Sequence, residues 1–101
     1  MAVATLSLHS TYPQGETKQI VVEALKTEQD FAYARFMTFA AECEQFEQAY
    51  NMASNVFFEQ FESGDLGDDE AWFDWYAAYK GKILWQKKYD VLRELSIPLS
   101  P

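Results

Sequence analysis

The chain holds one cysteine, Cys43, and one histidine, His9. A single cysteine excludes an intrachain disulfide and suits a reducing cytoplasm. It also excludes a multi-cysteine zinc site, and there is no second histidine for a histidine-rich metal centre. Cys43 falls on an apolar seam, so it is read as plain core rather than half of a Cys–His pair. Prolines number three and glycines four, so chain breaks are few. No apolar run approaches the roughly 20 residues needed to span a bilayer. The opening MAVATLSLHS lacks a basic segment followed by a long apolar one, so no secretion signal is read. No serine sits in a glycine-framed nucleophile elbow. These absences point to a cytoplasmic chain with no membrane segment, cofactor or metal.

Positive charge is also scarce. Eight bases face sixteen acids, for a net charge of −8. Residues 28–74 hold twelve acids and one base, Arg35. Residues 80–94 hold five bases, Lys80, Lys82, Lys87, Lys88 and Arg93, against Asp90 and Glu94. A phosphate-backbone binder needs a broad basic face, so the acidic part argues against nucleic acid as the main partner.

What is abundant is apolar and aromatic. Hydrophobic residues make up 49% of the chain and aromatics 17%, which excludes a disordered chain. At 101 residues the length fits one small domain. Such a chain buries only about two thirds of its unfolded surface.

The first 26 residues are read as an arm or a β-hairpin. TLSLHS alternates, KQIVVEAL is rich in β-branched residues, and STYPQGET between them has the turn residues Pro13 and Gly15. A helical domain is expected over residues 27–95, and a tail over 96–101. Thr27, with Asp30 three residues on, resembles a capping box that opens a first helix. Ala32, Phe36, Phe39, Cys43, Phe46 and Tyr50 then recur at spacings of four and three, a heptad-like seam. Asn51 ends that helix. Ser54 is the candidate N-cap of a short helix that Gly64 stops. A third helix starts at Asp68 or Asp69 and runs to about Leu95. Gly81 lies inside it at a cost of about 1 kcal/mol, which a close backbone approach would offset.

The acids in FESGDLGDDEAWFDWYAAYKG therefore read as a helix link. Gly64 and Gly67 supply turns, Leu66 a buried anchor, and Asp68 or Asp69 the cap. A calcium loop would need an alternating ligand set and a terminal bidentate glutamate, and neither is present. The fold expected is all-α: an antiparallel hairpin of two long helices with a short one between. Three helices cannot enclose seventeen aromatics, so a second copy is expected to complete a four-long-helix bundle. Candidate interface residues are Phe36, Phe39, Phe46, Trp72, Trp75, Tyr76, Tyr79 and Trp85.

Residues 24–95 resemble an uncharacterised group of small helical proteins of bacteria and archaea, common in cyanobacteria. The shared pattern is F-E-x-x-Y-x-M-x-S followed by F-x-x-F-x-x-G-x-L-G-D-D and an aromatic helix start. It is met here by Phe46, Glu47, Tyr50, Met52, Ser54, Phe58, Phe61, Gly64, Leu66, Gly67, Asp68 and Asp69, then Phe73 and Trp75. Asn51 departs from the group's usual glycine. The resemblance implies the antitoxin-like half of a toxin–antitoxin pair, with no enzymatic activity and no cofactor.

Three functions follow in order of expectation. The first is a non-enzymatic interaction protein that forms a homodimer and neutralises a basic toxin. The second is magnesium-dependent nucleotide hydrolysis, for which Glu44, Glu47, Glu70 and Asp74 must converge on one ion. The third is a DNA-binding autorepressor that uses Lys80, Lys82, Lys87, Lys88 and Arg93, or the N-terminal residues as a strand in the major groove.

Overall fold

The computed structural model describes residues 5–95. Three helices follow in order: α1 (Gln14–Tyr50), α2 (Ser54–Glu62) and α3 (Glu70–Glu94). Among the described residues the fold is all-helical. The tail expected over 96–101 lies outside them.

α1 is fourteen residues longer than a helix opened by a cap at Thr27 would be. The strand expected over residues 18–25 is its opening turns, and Thr27 is an interior residue rather than a cap. Residues 6–10 carry no helix or strand. The physical reason is continuity. No glycine or proline occurs between Glu16 and Tyr50, and adding a residue to an existing helix is cheap. The weak helix propensity of Ile20, Val21 and Val22 costs only tenths of a kcal/mol each against that. Pro13 marks the start: its carbonyl accepts from Thr17 N–H at 3.0 Å. Glu16 in the first turn suits the helix dipole.

α1 ends at Asn51, which is left-handed at φ 50°. The N–H groups of Asn51 and Met52 both turn back to the Glu47 carbonyl. α2 closes with Ser63, Gly64 and Asp65 donating to the carbonyls of Glu59, Phe61 and Gln60. α3 is capped by Asp69, whose carboxylate accepts from Ala71 N–H at 2.9 Å.

α1 and α3 pack antiparallel. Gln29 reaches the Leu92 carbonyl at 3.2 Å, and Phe39 lies over Gly81. Phe46 stacks on Trp75, and Tyr50 meets Trp72 at 4.8 Å. Small residues bring the two helices together: Ala32 and Cys43 on α1 and Ala78 on α3 are buried. At Gly81 a Cβ would sit 2.8 Å from three Phe39 ring carbons, so this glycine makes room for the ring. α2 covers one side of the lower half through Phe57, Phe58 and Phe61.

The result is a rod of 58 × 22 × 19 Å with a radius of gyration of 19.1 Å. A compact chain of about 100 residues has roughly 13 Å. The aromatic core fills only the end that holds α2.

Candidate functional site

Glu47 and Ser54 form a polar knot beside Trp75. Ser54 is not the N-cap of α2; that is Ala53, which has no side-chain acceptor. The Glu47 carboxylate supplies the missing cap from α1, accepting from Ser54 N–H at 3.0 Å. Ser54 Oγ is thereby free to accept from Trp75 Nε1–H at 2.9 Å, and the serine is almost fully buried. Contacts from the Ser54 side chain and backbone hold the Glu47 carboxyl below its ordinary value, with Lys82 adding to the effect. Burial pushes the Cys43 thiol up, although the Ser54 side chain works against that shift.

Rings surround the knot. Trp75 lies 4.0 Å from Phe57 with ring planes 3° apart, and it also stacks on Phe46 and Tyr50. Phe46, Glu47, Tyr50 and Ser54, spread over nine residues, thus converge on one tryptophan. Trp75 is fully enclosed, so its expected place at an interface is corrected: this ring is intramolecular core. A large aromatic on a helix declares burial, but not whether its own chain or another provides it.

The other candidate interface residues are half-buried. Trp72, Tyr76 and Tyr79 pack on α2 or Tyr50. Phe36 lies against Tyr33, and Phe39 against the Arg35 guanidinium. Trp85 is flanked by Phe31, Arg35 and Lys88. The open apolar surface belongs to residues outside the set expected at an interface. They include Ile20, Phe31, Phe73, Leu84 and Val91. The heptad seam identifies the α1 face toward α3; Phe31 lies off it, Ile20 precedes it, and Phe73, Leu84 and Val91 are on α3.

In the link, Gly64 and Gly67 have φ of 82° and 81°. Asp69 is the cap, and Asp68 is exposed. Leu66 is half-buried, not the enclosed anchor expected, because a rod about 20 Å thick offers no further layer to cover it.

Among the described residues no three His, Cys, Asp or Glu side chains could hold a metal ion together. Glu44, Glu47, Glu70 and Asp74 therefore do not converge as the hydrolase reading requires. Glu47 is committed to the α2 cap, and Glu44 accepts from Gln48. The bases of α3 do not share a face. At 3.6 residues per turn, Lys80 and Lys87 point one way while Lys82 and Arg93 point the opposite way. Among the described residues no helix is long and apolar enough to cross a membrane.

Charge divides along the rod. Residues 42–74 carry ten acids and no base. They form the end built from the last turns of α1, the whole of α2 and the start of α3. All eight bases lie in residues 18–35 and 80–93, toward the other end.

No family model, curated protein or solved structure matches the chain. Shape and surface therefore carry the functional argument.

Proposed function

We propose that this chain is a non-enzymatic interaction protein, the antitoxin-like partner of a toxin–antitoxin pair, acting in the cytoplasm. The observation that carries the reading is the unclosed apolar surface. Among the described residues twelve large apolar side chains are exposed on a rod only about 20 Å thick. Surfaces of that kind mark protein contacts. The acidic end adds a preference for a basic partner protein. Opposite charge speeds encounter and makes affinity fall as salt rises. A toxin with a basic nucleic-acid-binding surface has that chemistry.

Co-purification with the product of the adjacent gene is the test. The expected result is a complex that weakens with salt, together with relief of that product's toxicity. An adjacent product that is harmless when expressed alone defeats the antitoxin role. Absence of any complex at low salt defeats the basic-partner reading.

A further inference from the structure

Among the described residues the end of the rod away from α2 is only thinly covered. Gln29 lies beside Leu92, so α3 ends at Glu94 about level with Thr27. Residues 14–26 continue for roughly 20 Å at 1.5 Å per residue; among the described residues no helix lies beside them, and only Ser10 and Tyr12 of the arm flank Ile20 on one side. An isolated helix of that length is marginal in water. This overhang is nevertheless apolar, with Ile20 60% and Val22 45% exposed. Next to it lies an open groove between α1 and α3, lined by Ala32, Leu84, Trp85, Val91 and Leu92 among others. Phe31 packs edge-on against Trp85 and is itself 51% exposed.

We propose that this end docks a second copy of the same chain. The two rods lie antiparallel, and each overhang runs along the other's groove. Exposed apolar side chains support this occupant, because Ile20, Val22, Phe31, Leu84 and Val91 are all open on the overhang or beside the groove. Symmetry supports it as well. A two-fold contact needs one self-complementary patch, and here a protruding helix stands beside the groove that receives its twin. Charge fixes the direction. Parallel rods would bring together two ends of ten acids each with no base. Antiparallel rods carry those ends to opposite poles. They also bring Glu16 and Glu23 of the overhang toward Lys87 and Lys88 of the partner copy's groove. The poles remain free, so this dimer would present two acidic ends to the basic partner on which the interaction reading rests.

Light scattering and small-angle X-ray scattering on the full chain across a concentration series test the proposal. The expected species is a dimer with a longest dimension of roughly 75–80 Å, because two 58 Å rods overlap by about twice the overhang. Ile20→Glu and Val91→Glu should each weaken it roughly tenfold or more while helical circular dichroism is kept. Lys88→Glu should weaken it, and adding Glu23→Lys should restore it. Three results overturn the proposal: a monomer at every concentration, a dimer no longer than one rod, or a dimer indifferent to both apolar substitutions. A monomer that still binds the adjacent gene's product defeats the dimer but leaves the interaction reading intact. A dimer that binds no other protein upholds the docking surface and defeats the basic-partner reading.

Discussion

At the scale of single residues, Glu47 shows how a carboxylate in a suggestive pattern can be structural. As half of an E-x-x-E pair it resembles a magnesium ligand. In the fold it caps α2 in place of Ala53. Its lowered pKa gives the cap a pH signature. A depressed carboxylate contributes stability that is fully present above its unfolded value and is lost as pH falls through its folded value. Glu47→Gln should therefore lower the melting temperature at neutral pH. The gap to wild type should close as pH drops below the ordinary glutamate range, and melting curves from pH 7 to pH 3 read this directly. Gly81 makes the complementary point. Gly→Ala inside a helix ordinarily stabilises by about 1 kcal/mol. Here the new methyl meets the Phe39 ring at 2.8 Å, and overpacking costs about 1–3 kcal/mol. Gly81→Ala should thus be neutral to destabilising in wild type and stabilising in a Phe39→Ala background. A double-mutant cycle measures the coupling.

At the scale of elements, the parts readable in sequence were those set by local chemistry. Asn51 at a helix end, Gly64 past another and Asp69 before a third announce themselves because few residues fit those positions. The seam from Ala32 to Tyr50 was readable because periodicity reports the buried face directly. Two features were not readable, for different reasons. Residues 18–25 look like a strand by propensity, and the helix overrides this because nothing in the sequence interrupts it. Ser54 looks like a cap, yet its hydroxyl is claimed by Trp75, 21 residues away in sequence, and no local pattern shows such a partner. The link from Gly64 to Asp69 yields a ranking. Asp69→Ala should cost about 0.5–2 kcal/mol through loss of the bond to Ala71. Phe57→Ala, at a fully buried ring, should cost about 3–5 kcal/mol. Leu66→Ala should fall below the cost of the Phe57 substitution, because Leu66 is only half-buried. Chelator should leave the wild-type and Asp69→Ala melting curves unchanged. A chelator-sensitive wild type would place an ion in the link.

At the scale of the whole molecule, packing is unequal along the rod. Near α2, Trp75, Phe57 and Cys43 are enclosed and the polar knot is satisfied. Toward Gln14, among the described residues, α1 runs beyond the end of α3 with no second helix beside it and only Ser10 and Tyr12 of the arm flanking Ile20. Local stability follows enclosed apolar contact, so the two ends should open with different free energies. Hydrogen exchange at low protein concentration should show slow amides around residues 40–50 and 71–82 and fast ones over 16–26. The comparison across concentration carries the argument. If nothing covers the overhang, exchange over 16–26 is the same at every concentration. If another copy covers it, protection there rises with concentration, because a ligand that binds only the ordered helix stabilises it by mass action. The amides near Trp75 would gain less, since their protection is already provided within one chain. A concentration-dependent gain confined to 16–26 and the groove-lining turns of residues 84–92 is the expected pattern. A uniform gain along the rod would instead mean that association stabilises the fold as one cooperative unit, with the overhang no weaker than the aromatic end.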